Sequence, residues 1–284
     1  MFIWLASYPK SGNTLVRAMI SSYFFSSDGN FNFEMLNNIK QFPDYNLFNK
    51  FKINLSDEKE VVKNYIKTQE KISLKNKIQF LKTHSSLFNI NGCQFTDLKH
   101  TIGVIYIVRD PRNVAYSWAT HADKTIDYSV DRMINNHHFG GDLKSKNNSD
   151  KIFTYCGNWG FNYNSWKSFN FQSRYLLVKY EDLIENKENI FKNILKFIQK
   201  LNNQKIEIDQ NKISNILKST SFNSMKKLET DHGFNESKTK TISNKKIPFF
   251  NLGPKNDWKK ILSDENREKI EKAFKEEMLE LGYL

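Results

Sequence analysis

Phe2-Ile-Trp-Leu-Ala-Ser-Tyr-Pro-Lys-Ser-Gly-Asn-Thr14 runs from a strand-like pattern through a turn into a helix-like one. Met1 to Ala6 is apolar and aromatic enough for a buried parallel strand. Pro9 and Gly12 punctuate a turn, and Thr14, Leu15, Ala18, Met19 and Tyr23 recur at helical spacing. The loop therefore ends at a helix N-terminus, where unpaired backbone N–H groups and the helix dipole favour an anion. Lys10, Ser11 and Thr14 add a cation and two hydroxyls within one turn, so a phosphorylated ligand is expected here.

The loop is not that of the nucleoside triphosphatases. Their order, G-x-x-x-x-G-K-[ST], puts the Lys directly after the last Gly. Here Lys10 precedes Gly12, and Asn13 stands where that Lys would be.

A second strand-to-helix junction lies at Gly103-Val-Ile-Tyr-Ile-Val-Arg-Asp-Pro-Arg-Asn-Val-Ala-Tyr-Ser-Trp118. An apolar strand delivers Arg109 to its end, Asp110 and Pro111 open a helix, and Ser117 lies two turns on. The Arg guanidinium is a fixed-charge fork matched to phosphate oxygens. Ile78-Gln-Phe-Leu-Lys-Thr-His84 reads as another strand running out into polar residues. In an open parallel sheet ligands sit beyond the carboxyl ends of the strands, so Lys82 and His84 are expected on the same rim as Lys10.

Tyr-Pro-Lys-Ser-Gly-Asn-Thr resembles the 5′-phosphosulfate loop of the sulfotransferases that use 3′-phosphoadenosine 5′-phosphosulfate (PAPS). The resemblance runs in consistent order from Phe2 to Leu284. It implies an α/β fold of the P-loop type, a single domain over 1–284 with a central parallel sheet flanked by helices. It also implies transfer of a sulfuryl group to a hydroxyl or amine, with no metal and no covalent enzyme intermediate. Lys-Thr-His at a strand end resembles the segment carrying the catalytic base, which implies His84 as base, with Lys10 and Lys82 steadying the transferring group. Arg109 and Ser117 resemble the 3′-phosphate motif. Tyr180 of Tyr-Glu-Asp-Leu, with Thr220, Phe222 and Met225, matches the adenine pocket. Ser11, Gly12, Asn13, Thr14 and Leu15 fall in the cofactor loop, with Leu15 where the family commonly stacks a Trp on the adenine.

The late segment Phe249-Phe-Asn-Leu-Gly-Pro-Lys-Asn-Asp-Trp-Lys259 resembles the family's Arg-Lys-Gly-x-x-Gly-x-x-Lys loop with differences. Asn251 and Leu252 replace the Arg-Lys pair, and Asn256 replaces the second Gly, where its tolerance of left-handed backbone would keep the turn. Gly253 is retained, and Lys255 and Lys259 are expected to substitute for the missing cations.

The 284 residues suffice for one large α/β core. A net charge of +12 suits a polyanionic ligand, but Lys and Asn are spread along the whole chain, so charge alone does not imply nucleic acid, and none is expected as partner. Cys93 and Cys156 are far apart and form no metal-ligand cluster. His137 and His138 have no carboxylate at helpful sequence spacing, so no metal is expected. With no apolar run near the ~18 residues of a membrane span and no leader pattern, the expected compartment is the cytoplasm.

Helices are expected from Ser56 to about Lys71, from Gly157-Asn-Trp-Gly through Trp166, from Lys187 to Leu201, and from Ser263 to Gly282. Residues 26–55 and 121–150, with Gly140-Gly141 and the charged run Lys144 to Lys151, read as irregular and acceptor-facing. Residues 229–250 read as a surface loop or a lid. The acceptor, whether small molecule, sugar or lipid, is not legible, nor is the oligomeric state. Two other classes stay open: a P-loop small-molecule kinase, which needs the absent Gly-Lys-Ser/Thr order, and an inactive basic module binding a nucleotide or nucleic acid.

Overall fold

The computed structural model describes residues 1–74, 77–139, 152–203, 207–239 and 246–284. Gly140-Gly141 and the run Lys144 to Lys151 lie outside these. Five strands form one parallel sheet: β1 (Phe2–Ser7), β2 (Lys40–Gln41), β3 (Gln79–Thr83), β4 (Thr101–Val108) and β5 (Tyr175–Lys179). Their spatial order is β2-β3-β1-β4-β5. The chain passes first to one side of β1 and then to the other, which opens a crevice at the carboxyl end of the central strand.

Alternation along the strands builds two separate cores, as a sheet covered on both faces requires. Phe2, Trp4, Val104 and Tyr106 enter an aromatic layer with Phe42, Tyr65, Phe95 and Trp166. Ile3, Leu5, Ile105 and Ile107 point the other way, onto α1 (Asn13–Phe25) and the helix Lys187–Asn202.

The expected elements appear with instructive shifts. The first helix starts at Asn13, with Gly12 at φ 101 as its cap. The stretch from Ser56 is two helices, Glu58–Lys63 and Tyr65–Ile72, interrupted at Asn64; Asp57, not Ser56, is the cap, accepting from the Lys59 N–H. The last helix is likewise divided, into Asp264–Ala273 and Lys275–Glu280. Residues 26–55, expected to be irregular, contribute β2 to the edge of the main sheet. That strand is two residues long and exposed, too short to leave an apolar period. No described helix is long and apolar enough to cross a membrane.

Candidate active site

The carboxyl ends of all five strands converge on one cavity of about 720 Å³. After β1 the chain turns through Lys10, itself left-handed at φ 67, and Gly12. A Cβ on Gly12 would lie 2.5 Å from Cδ2 of Tyr180, so glycine is demanded both by φ and by the ring pressed against the loop. Asn13 holds this turn from inside, its Nδ2 donating to the Leu5 carbonyl at 2.9 Å and to Ser7 Oγ at 3.2 Å. Of the two hydroxyls expected to face a ligand, only Thr14 does so. Ser11 is fully buried and does not line the cavity, because the turn rotates it beneath the loop.

At the end of β3, Lys82 and His84 reach the same rim. His84 Nδ1 lies 2.9 Å from the Ser7 carbonyl and 3.2 Å from Ser7 Oγ; the carbonyl only accepts, so the shorter contact calls for the proton on Nδ1 and the lone pair on Nε2. Burial, and then the neighbouring Lys82 ammonium, push its pKa down to about 3, so the ring is neutral at pH 7. Lys10 is pushed down to about 7, first by burial and then, against the opposing pull of Glu236, by Lys82, Arg109 and Lys238. Its Nζ lies 3.7 Å from the centroid of the Phe249 ring.

Arg109, at the end of β4, is 6% exposed. It does not pair with Asp110, which caps α2 (Pro111–Ala122) and is taken by Arg112 at 2.8 Å. Instead its guanidinium lies 4.3 Å from the centroid of the Tyr180 ring and donates a long bond of 3.4 Å to the Lys10 carbonyl. Its Nε has no hydrogen-bond partner among the described residues. Glu181 accepts from the Asp110 N–H at 3.1 Å and from Tyr283 Oη at 2.8 Å, which ties the Tyr180 segment to the end of β4. Ser117 lines the cavity from α2.

The apolar end of the cavity carries Leu15, Tyr180, Thr220, Phe222 and Met225, the residues expected around an adenine. Phe222 packs so closely on Gly253, at φ 53, that no side chain fits there. In the late loop the left-handed residue is this glycine. Asn256 is at φ −72, not left-handed as expected; its Nδ2 donates to the Asn113 carbonyl at 2.8 Å and pins the loop to α2. Lys255 and Lys259 are exposed and do not line the cavity, contrary to their expected role in replacing the Arg-Lys pair.

Three charged residues that sequence reasoning passed over belong to the site. Arg17 sits one helical turn beyond Thr14. Glu236, from the segment read as a loop or lid, accepts from Arg17 at 2.6 Å and from Thr14 Oγ1 at 3.2 Å, and approaches Lys82 at 3.5 Å. Lys187 lines the adenine end, donates to the Thr220 carbonyl at 2.7 Å, and is pushed down to about 8 by burial. Arg17 was legible as the residue three after Thr14, on the same helix face. Glu236 carries no pattern of its own. His138 meets Glu58 at 3.4 Å, a carboxylate distant in sequence; among the described residues no three His, Cys, Asp or Glu gather as a metal would need.

A parallel sheet with two cationic strand-to-helix junctions at one rim, a neutral histidine and an aromatic slot defines a nucleotide-phosphate-binding α/β protein. The sequence profile of the sulfotransferase domain matches residues 2–282, so the chain belongs to the sulfotransferase family, the PAPS-dependent enzymes. Among solved structures it is similar to mouse sulfotransferase SULT7A1 complexed with PAP, with TM-score 0.58 and 18% identity over 98% of this chain and 84% of that one. It is also similar to retinol dehydratase in complex with androsterone and inactive cofactor PAP, with TM-score 0.61 and 14% identity over 98% and 80%. A retinol dehydratase complex with retinol and PAP aligns with TM-score 0.61 and 15% identity over 98% and 81%.

Proposed function

We propose that the protein transfers a sulfuryl group from PAPS to a hydroxyl or amine of a small acceptor, with His84 as general base. The observation that carries this reading is the place of His84: its Nδ1 lies 2.9 Å from the Ser7 carbonyl, which can only accept, so Nε2 is the nitrogen left to take a proton, in a cavity that Lys82 and Lys10 also line.

The residues fit the cofactor. The partnerless Nε of buried Arg109, and a carboxylate already held by Arg17, Thr14 and Lys82, mark two places suited to anions. Arg109 and Ser117 would hold the 3′-phosphate, and Thr14 with the loop N–H groups the 5′ end. Leu15, Tyr180, Phe222 and Met225 would enclose the adenine, Thr220 lying beside them. When bound, PAPS supplies the sulfuryl group and departs as adenosine 3′,5′-bisphosphate. Lys10 stabilises negative charge building at the 5′ end, and Lys82 steadies the oxygens nearest His84. His84 Nε2 takes the acceptor proton. In the free enzyme its basicity is low, and a bound polyanion raises it by offsetting the Lys82 charge.

The remaining wall of the cavity includes Tyr45, Trp118, Phe139 and Ile152, with Asp44 and Gln41 at its polar margin. This favours a compact acceptor with an apolar body over an extended sugar chain. One neighbour, retinol dehydratase, has structures with androsterone and with retinol, which supports that choice. Incubation with labelled PAPS and a panel of steroid-like, retinoid-like, phenolic and oligosaccharide acceptors tests it. Label should pass to a small apolar alcohol, phenol or amine. Exclusive labelling of oligosaccharides would contradict the acceptor class, and phosphate transfer from magnesium-ATP would favour the kinase reading.

A further inference from the structure

The segment that carries Glu236 is built into the fold. Glu229, on the helix Phe222–His232, accepts from the Phe249 N–H at 2.6 Å and the Phe250 N–H at 2.9 Å, and also from Ser237 Oγ. Phe234 stacks on Phe33 with ring centroids 4.3 Å apart, and Lys238–Thr239 pairs antiparallel with Lys246–Ile247. These contacts present the Glu236 carboxylate to the start of α1. There it is ringed by donors, Thr14 Oγ1, Arg17 and Lys82.

The Arg17 side chain is 7% exposed, and its Nε has no partner among the described residues. Glu236 lines the cavity while Arg17 behind it does not, so the carboxylate stands between the cavity and that cation. A carboxylate and a phosphate ask for the same thing: a planar fork of N–H donors, a hydroxyl and an ammonium. Burial alone would raise the Glu236 pKa, but Lys82 and then Arg17 outweigh it and hold the carboxyl far below its ordinary value, so it is a full anion at any physiological pH.

We infer that Arg17 is a binding residue for the 5′-phosphate of the cofactor and that Glu236 is its internal competitor, an anion carried on the 233–239 segment that must leave Arg17 before the nucleotide is fully seated. This rests on the sulfotransferase reading of the cavity. A cation thus lies in reserve on α1, neutralised until ligand arrives.

The two roles separate in a binding experiment. Calorimetric titration with adenosine 3′,5′-bisphosphate and with adenosine 3′-monophosphate, at fixed ionic strength, compares wild type, Glu236→Gln, Arg17→Gln, Arg17→Lys and the double variant Arg17→Gln/Glu236→Gln. Glu236→Gln should tighten the bisphosphate by about tenfold and leave the 3′-monophosphate nearly unchanged, one charge-assisted competitor being worth about one tenfold step. Arg17→Gln should weaken the bisphosphate by about tenfold or more in both Glu236 backgrounds, and Arg17→Lys should recover part of it. A Glu236→Gln enzyme that binds the bisphosphate no tighter than wild type would overturn the competition. Arg17→Gln tightening binding as Glu236→Gln does would reduce Arg17 to an anchor for the segment and overturn its role. Melting curves of each variant without ligand show that the comparison is made on folded protein. If wild type failed to bind either nucleotide, the sulfotransferase reading would fall and this inference with it, a result distinct from the two above.

Discussion

Arg17 and Lys82 pair with the carboxylate of Glu236 at one end of the cavity, and Lys10 feels that charge from over the Phe249 ring, whereas at the other end Arg109 stands against Tyr180 with its Nε unpartnered. Both ends are suited to a phosphate, yet the cost of keeping buried cations is met differently. At the first end burial is offset by an acid brought in from another segment, and Lys10 is still pushed down to about 7. At the second the Arg109 guanidinium, delocalised and weakly hydrated, tolerates burial on an aromatic face without an acid, and Lys187 is held by the Thr220 carbonyl. The difference teaches where chemistry and where affinity should reside. The end with His84 and Lys10 suits the reacting group, and the end where Arg109 keeps a fixed charge suits recognition.

The sharpest way to break this division is His84→Ala. It should lower kcat by about 10²- to 10⁴-fold while leaving bisphosphate affinity nearly intact, because only the acceptor proton is affected. Retention of more than about a third of wild-type turnover would place the base elsewhere in the cavity, His121 being the next candidate on its wall.

A smaller effect follows from Lys10. Its depressed pKa means that the free enzyme loses this positive charge as pH rises through about 7, whereas the bound polyanion favours the protonated form. The KM for PAPS should therefore rise above pH 7, by up to about tenfold per unit of pH, and binding at pH 8 should take up protons. Titration in buffers of different ionisation enthalpy measures that uptake. A KM flat from pH 6 to 9 with no proton uptake would show that Lys10 is not in contact with the ligand.

The smallest effect concerns the late loop. Because Lys255 and Lys259 are exposed and off the cavity wall, changing both to Ala should shift the KM for PAPS less than about threefold, as exposed substitutions usually cost no more than about 0.5 kcal/mol. A rise beyond tenfold would return them to the second phosphate end.

What the sequence made legible was whatever depends on local pattern. The run Phe2 to Thr14, the Arg109 to Ser117 junction and the strand ending at His84 each join an apolar period to a polar terminus, and all three arrive at the predicted rim. What stayed hidden depends on pairing across the chain. Glu236 lies far along the chain from Thr14 and Arg17, in a stretch without apolar period, so nothing nearby marks its destination. The direction of a side chain within a turn was equally out of reach: Ser11 lies between Lys10 and Gly12 and yet is buried under the loop. His84 is marked in the sequence by its strand end together with the resemblance of Lys-Thr-His to the sulfotransferase base segment, but its neutral state comes only with burial and with Lys82 beside it.

Direct evidence for two phosphate ends would come from melting temperatures of wild type and Arg109→Ala with adenosine 3′,5′-bisphosphate and with AMP at equal concentration. A ligand at a hundredfold excess over its Kd stabilises the folded state by about 2.7 kcal/mol. The bisphosphate, touching both ends, should raise the melting temperature of the wild type clearly and AMP scarcely, and Arg109→Ala should erase that difference because its lost side chain meets only the 3′-phosphate. Equal shifts from the two nucleotides in the wild type would mean that Arg109 holds no phosphate and that the cavity has one anion end, not two.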